Sequence, residues 1–244
     1  MDKNFTRRTV SVIIPAFNEE KNIEAAVKSV LFAVNGSVSD YEIIIIDDCS
    51  NDHTADIAGK IACQNHRIKV HRNGKNMGFG YTYRKGVELS RHEYISLINA
   101  DNEILPQSIS EMYGMLGEAD IIIPFTINQK DRPPVRMCLT FFSTKMLNFL
   151  FGLNLRYYNG FVIYKKEDIK RFNFSTNSFA FQVEALVKLI KSGRSFAQVG
   201  TYFMPRKYGK SKVFHPRNVF GVLKTILLLF IDTRILHRGE IGRD

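Results

Sequence analysis

The sequence predicts an α/β fold, a mostly parallel sheet covered by helices on both faces. Three observations predict it. Short runs rich in β-branched residues, such as Val10–Ile14 and Glu42–Ile46, are apolar on both faces, as strands buried on both sides must be. These runs alternate with longer stretches of helical spacing. Polar and acidic clusters follow three of them, at the carboxyl ends where open parallel sheets bind ligands: Asn18-Glu19-Glu20, Asp47-Asp48 and Asn99 to Glu103.

The elements follow in order. Val10–Ile14 reads as a strand that stops at Pro15, and Asn18–Asn35 as a helix with Ile23, Ala26, Val27, Val30 and Leu31 on one face. Glu42–Ile46 is the second strand. Asn51–Ala62 is a helix with its start signal in Ser50-Asn51-Asp52. Ile68–His71 is a third strand and Gly78–Ser90 a helix, joined by a turn that Gly74, Gly78 and Gly80 make tight. Glu93–Ile98 and Ile121–Pro124 are the fourth and fifth strands, and a helix begins around residue 182. Met137–Leu153 puts Leu139, Phe142, Met146, Phe149, Leu150 and Leu153 on one helical face, with Arg136, Thr140, Thr144 and Asn148 opposite. Val219–Leu236 is a second strongly apolar helix. With no repeats and no linker, the chain reads as one domain: a body over 1–215 and, as part of it, a C-terminal amphipathic helix and tail over 216–244.

Composition narrows the class. With 244 residues, 45% of them hydrophobic and 24% charged, the chain can bury a sizeable core and is not disordered. Its 34 Lys and Arg against 24 Asp and Glu give +10, which favours anionic partners. Cys49, Cys63 and Cys138 are scattered, which suits a reducing compartment and argues against a structural zinc. The N-terminal residues carry no apolar signal core. The longest apolar run, Ile226–Ile231, is far short of the roughly 20 residues of a spanning helix. The six histidines (His53, His66, His71, His92, His215 and His237) fall at no ligand spacing.

The segment Ser96-Leu97-Ile98-Asn99-Ala100-Asp101-Asn102-Glu103 carries the chemistry. Acid–any–acid after a strand would hold a divalent cation, but here the first acid is an amide. A neutral amide oxygen still ligates a hard cation, and Glu103 supplies the second carboxylate.

Seven stretches, in this order and spacing, resemble the family 2 glycosyltransferases of the GT-A fold. They are SVIIPAFNEE, IIIIDDCSNDHT, NGKNMGFGYTYRKG, YISLINADNEILP, YYNGFVIYKKEDI, SFAFQVEALVKLIKSG and PRKYGKSK, together spanning about Val10 to Lys212. The last three resemble the dolichol- or polyprenyl-phosphate transferases typified by dolichol-phosphate mannose synthase. The resemblance implies a GDP- or UDP-linked sugar as donor. It would be held by Pro15, Ala16, Asn18, Glu20, Asp47 and Asp48 together with Asn99, Ala100 and Asp101. It also implies Mg²⁺ or Mn²⁺ on Asn99, Asp101 and Glu103, in a family where Gln is more usual at the third position. The cation would act as a Lewis acid on the leaving pyrophosphate. No nucleic acid is implied.

The acceptor follows from proton count. A sugar hydroxyl needs a general base, and family 2 enzymes of that kind place an Asp where this chain has Gln182. A phosphate monoester, with its second pKa at about 6, is already anionic and needs cations instead. Arg206, Lys210 and Lys212 supply them, with Ser211 as a neutral donor beside them and Arg136 adding another cation. Catalysis is thus expected to rest on Asp101, Arg206, Lys212, Gln182 and Glu184; Glu184 is either a base or a loop anchor. The expected reaction is inverting transfer to a polyprenyl phosphate. The alternatives are transfer to a saccharide or glycolipid hydroxyl, and an inert scaffold that binds nucleotide sugar.

Met137–Leu153 and Val219–Leu236 are expected to lie on the cytoplasmic face of an anionic membrane. Lys145, Arg217, Lys224 and Arg234 would add attraction. Packing in the core, or against a membrane-anchoring partner subunit, is the other expectation for them.

Overall fold

A computed structural model describes residues 8–171, 176, 180–205, 208 and 216–235. Its centre is a seven-stranded sheet in the order β3-β2-β1-β4-β6-β5-β7. The strands are β1 (Thr9–Ala16), β2 (Asp40–Asp47), β3 (Ile68–Arg72), β4 (Tyr94–Leu97), β5 (Ile121–Thr126), β6 (Ile163–Lys165) and β7 (Phe196–Thr201). All pairings are parallel except those of β6, which runs antiparallel to both β4 and β5. The helices are α1 (Ile23–Val34), α2 (Thr54–Gln64), α3 (Phe79–Leu89), α4 (Pro106–Gly114), α5 (Pro134–Phe151), α6 (Lys166–Lys170), α7 (Phe181–Lys191) and α8 (Pro216–Phe230).

Strand alternation divides the core into two layers. Ile13, Ile44, Ile46, Ile95 and Leu97 face α3, α5, α7 and α8 through Tyr83, Phe151, Leu186 and Leu229. Val12, Ile14, Ile43 and Ile45 face α1, α2 and α4 through Val27, Val30, Ala58 and Met112. A Cβ at Gly86 would overlap the Ile13 side chain, so this glycine lets α3 lie directly on β1.

Boundaries moved for identifiable reasons. β1 runs through Pro15 to Ala16, beyond the expected stop. Its pairing with β4 ends at Ile13↔Leu97, so Pro15 meets β2 alone, through Ile46. α1 begins at Ile23 rather than Asn18, because Asn18 is left-handed with φ 54°. α2 begins at Thr54, where Asp52 Oδ1 accepts the Thr54 backbone N–H at 3.0 Å as a cap does. α5 opens earlier, with Pro134 in its first turn, and closes on left-handed Gly152.

The two apolar helices differ from a buried amphipathic helix. On α5, Leu147, Leu150 and Phe151 pack on the core, as does Leu153 just beyond its end, but Val135, Leu139, Phe142, Met146 and Phe149 form an exposed stripe, Phe149 being 87% exposed. Arg136, Thr140, Thr144 and Asn148 are the half-buried row. α8 buries Ile226 and Leu229 and exposes Leu223, Leu227 and Leu228. Among the described residues no helix is long and apolar enough to cross a membrane.

Candidate active site

β1 and β4 are parallel neighbours, so the loops after their carboxyl ends stand side by side at the edge of the sheet where such folds form their ligand crevice. Pro15, Ala16, Asn18 and Glu20 stand on one lip, Asp47 and Asp48 beside them, and Asn99, Ala100 and Asp101 on the other.

The loops on the first lip are stitched together. Asn18 N–H donates to Ser50 Oγ at 2.9 Å, and Asn51 N–H donates to Asn18 Oδ1 at 2.9 Å. Glu20 N–H donates to Asp52 Oδ2 at 3.2 Å, and Glu20 Oε2 accepts His53 N–H at 3.1 Å. The Ala16 carbonyl accepts Asp48 N–H at 2.8 Å. Asn18 and Glu20 thus hold two loops in register.

The Asp47-Asp48 pair is committed in the same way. Asp47 is fully buried, accepts Ser50 N–H at 3.2 Å and pairs with Arg72 Nε at 3.2 Å. Asp48 accepts Asn73 Nδ2–H at 2.8 Å, Met77 N–H at 2.8 Å and Gly78 N–H at 2.9 Å. It shapes the 73–78 loop, and Gly78, at φ 90°, completes the turn into α3. The turn with Ser50 is made by Asp47 and not by Asp48. Arg72 and Asn73 went unrecognised in the sequence. Their signal was position alone, directly at the end of β3 as the aspartates are at the end of β2.

On the second lip, Asn102 is left-handed (φ 54°) and its Oδ1 accepts Ser29 Oγ–H from α1 at 2.8 Å. Asp101 Oδ1 accepts Glu103 N–H at 3.4 Å. Asn99 Oδ1 is buried with no hydrogen-bond partner. A buried acceptor left in that state is costly, and a divalent cation would satisfy it. With Asp101 beside it, the donors are all oxygen, the set that suits Mg²⁺ or Mn²⁺. Glu103 is turned elsewhere: its Oε2 lies 3.3 Å from both Arg136 Nη1 and Nη2. No cluster of three His, Cys, Asp or Glu able to hold a metal occurs among the described residues. The structure thus pairs with each other two residues expected on different ligands, Glu103 on the cation and Arg136 on the acceptor phosphate.

On α7, Gln182 Nε2–H donates to the Gly160 carbonyl. Glu184 is 1% exposed and pairs with Lys188 Nζ at 2.6 Å, one turn along. Arg206, Lys210, Ser211 and Lys212 lie outside the described residues, as do His215, His237 and the side chains of Arg217 and Arg234. The strand-like Phe203 that leads to this segment bridges Ile104, and Met204 N–H donates to the Glu103 carbonyl at 2.8 Å.

Residues 11–187 match the family described as Glycosyl transferase family 2. The chain belongs to that family. It is 26% identical over 221 residues to polyprenol monophosphomannose synthase of Mycolicibacterium smegmatis, covering 85% of this chain and 82% of that one. It is 23% identical over 225 residues to dodecaprenyl-phosphate galacturonate synthase of Rhizobium johnstonii, covering 91% and 66%. Of the first two curated relatives it matches, the chain spans only 32% and 38% of the length. Among solved structures it resembles glucosyl-3-phosphoglycerate synthase of Mycobacterium tuberculosis in complex with Mn²⁺, UDP and phosphoglyceric acid. The TM-score is 0.67 at 18% identity, over 91% of this chain and 78% of that one. That likeness establishes the GT-A-like α/β fold.

Proposed function

We propose that this chain is a glycosyltransferase that moves a sugar, with inversion, from a GDP- or UDP-linked donor to a polyprenyl phosphate. The observation that carries the acceptor class is the state of α7. Its one carboxylate, Glu184, is buried against Lys188, and Gln182, at the expected base position, is tied to Gly160. A hydroxyl acceptor would find no proton acceptor there, whereas a phosphate monoester needs none. Glu184 is then an anchor. The names of the two long-matching relatives, a polyprenol monophosphomannose synthase and a dodecaprenyl-phosphate galacturonate synthase, agree in class.

In this reading the backbone of Pro15 and Ala16 walls the nucleotide. Asn18, Glu20, Asp47 and Asp48 hold its loops, and Asn99, Ala100 and Asp101 face the diphosphate. Asn99 and Asp101 would hold Mg²⁺ or Mn²⁺, which when bound supplies positive charge against the leaving diphosphate. Arg206, Ser211 and Lys212, with Lys210, orient the attacking phosphate. The exposed stripes of α5 and α8, with exposed Lys145 and Lys224, rest on the cytoplasmic face of an anionic membrane and bring the lipid to the site. The chain works as one unit, since α8 packs into the same core layer as α7.

The test is a panel of nucleotide sugars offered with a short polyprenyl phosphate or the matching polyprenol, following nucleoside diphosphate release. Release with the phosphate alone is expected. Preference for the alcohol would install the hydroxyl-acceptor reading, and silence with every donor the inert scaffold.

A further inference from the structure

The Glu103–Arg136 pair joins the turn that carries Asn99 and Asp101 to the first turn of α5. Three features set it apart from an ordinary structural ion pair. It is long, a single carboxylate oxygen at 3.3 Å from both guanidinium nitrogens, where charge-assisted bonds run to about 2.7–2.9 Å. Arg136 is the third residue of α5, where the helix dipole disfavours a cation, and no acidic residue of that first turn offsets it. Finally, the pair stands between one unmet acceptor and the approach to the basic segment. On the Glu103 side is the buried Asn99 Oδ1 without a partner, two residues before Asp101. On the Arg136 side are Phe203, whose ring lies 5.4 Å from the guanidinium, and Met204, bonded to the Glu103 carbonyl. The basic segment begins immediately after them.

We propose that Glu103 and Arg136 form an exchange latch in which each holds the other out of use until a divalent cation arrives. Glu103 then turns to join Asn99 and Asp101, and Arg136 is released to the anionic phosphate of the acceptor. Cation binding and phosphate binding are thereby coupled through one ion pair, without either ligand touching the other. A glutamine at position 103 would lack the charge to hold Arg136 in reserve, so the latch depends on this chain's carboxylate. The phosphate half rests on the proposed acceptor; the cation half does not.

The experiment measures Mn²⁺ affinity by the electron paramagnetic resonance of unbound Mn²⁺, with neither nucleotide nor acceptor present. It uses the wild-type chain, Arg136→Gln, Glu103→Gln and the double variant, each shown to be folded by thermal melting. Arg136→Gln is expected to tighten Mn²⁺ binding about tenfold, because it removes the competitor for Glu103. Glu103→Gln should weaken binding, and in that background Arg136→Gln should change nothing. An unchanged affinity in Arg136→Gln overturns the latch. So does a gain that persists beside Glu103→Gln, which would mean simple loss of a nearby positive charge, and so does absence of binding by all four proteins. If Arg136→Gln melts early, Arg136→Lys takes its place; it keeps the charge but loses the two-pronged contact, and a smaller gain is expected. In turnover, Arg136→Gln should raise the KM for polyprenyl phosphate and leave that for the nucleotide sugar in place. A rise in the donor KM instead would assign Arg136 to the diphosphate. A hydroxyl acceptor would defeat the function proposed above and leave the Mn²⁺ results standing.

Discussion

α1 and α5 have the same amphipathic pattern in sequence and opposite surroundings in the structure. α1 buries Ile23, Ala26, Val27, Val30 and Ala33 against β1 and β2. α5 turns Arg136, Thr140, Thr144 and Asn148 toward the protein and presents Val135, Leu139, Phe142, Met146 and Phe149 outward. The contrast extends to the halves they belong to. Around α1 nearly every polar group at the crevice is answered by another loop, as Asp47 and Asp48 show. Around α5, where Leu147 and Phe151 are buried, a second apolar stripe stays exposed among the described residues, and an ion pair stands ready to be exchanged. Periodicity reports that a helix has an apolar face; what covers that face is decided by its neighbours.

The comparison can be sharpened by perturbing the two halves in turn. The largest effect is expected at the crevice between them: Asp101→Ala should lower turnover by roughly 4 kcal/mol of transition-state stabilisation, about a thousandfold. Nucleoside diphosphate release measures it, and full activity in excess chelator would remove the cation from the reaction. Next, Ile23→Ala on α1 should cost about 3 kcal/mol in denaturant unfolding. Phe149→Ala on α5 should stay within about 0.5 kcal/mol and instead reduce co-sedimentation with anionic vesicles. Equal destabilisation by the two would mean that α5 is covered like α1.

A smaller effect belongs to Glu42, fully buried in β2 on the closed half. Its carboxylate accepts Ser11 Oγ–H at 2.8 Å and Arg91 N–H at 2.8 Å and pairs with Lys69 at 3.1 Å. Burial alone would raise its pKa, but these hydrogen bonds and the Lys69 charge outweigh burial and lower it. A carboxyl whose folded pKa is depressed contributes stability above its unfolded pKa of about 4.3, lost as pH falls through the folded value. Glu42→Gln should therefore cost about 2 kcal/mol at pH 7 and less at acid pH. A penalty independent of pH would show that the charge is not what matters. A smaller effect than at Glu42 is expected at Ser29, whose hydroxyl anchors Asn102 from α1. Ser29→Ala should cost about 1 kcal/mol in thermal unfolding and barely touch vesicle binding.

Much of this was legible. β1 and β2 were plain because continuous Ile and Val runs leave no alternative face, and the polar residues at their ends marked the candidate site. β6, three residues long, and β7, whose Phe196-Ala197-Gln198-Val199 is mixed, carry too little pattern to declare a strand. α4 was missed because Ser108, Ile109, Met112 and Tyr113 bury a face that is only partly apolar. The orientation of the carboxylates was beyond sequence reading. Asp48 is held by Asn73, Met77 and Gly78, residues 25 to 30 positions away, and Glu103 by Arg136, 33 away. Such partners become neighbours only after the sheet order is set.

Among the described residues, three other than glycine have left-handed backbones: Asn18, Cys49 and Asn102, one beyond each of β1, β2 and β4. For a cysteine in particular that conformation is intrinsically unfavourable, and it persists because the surrounding hydrogen bonds over-determine it. The rim of the crevice therefore takes its shape during folding, ahead of any encounter with a donor. Binding does not have to order the loops it touches, and the conformational entropy a slack loop would lose on association is already gone. Under the function proposed above, selectivity among sugars would reside in the side chains that this rim displays, which can be exchanged while the backbone frame stays fixed.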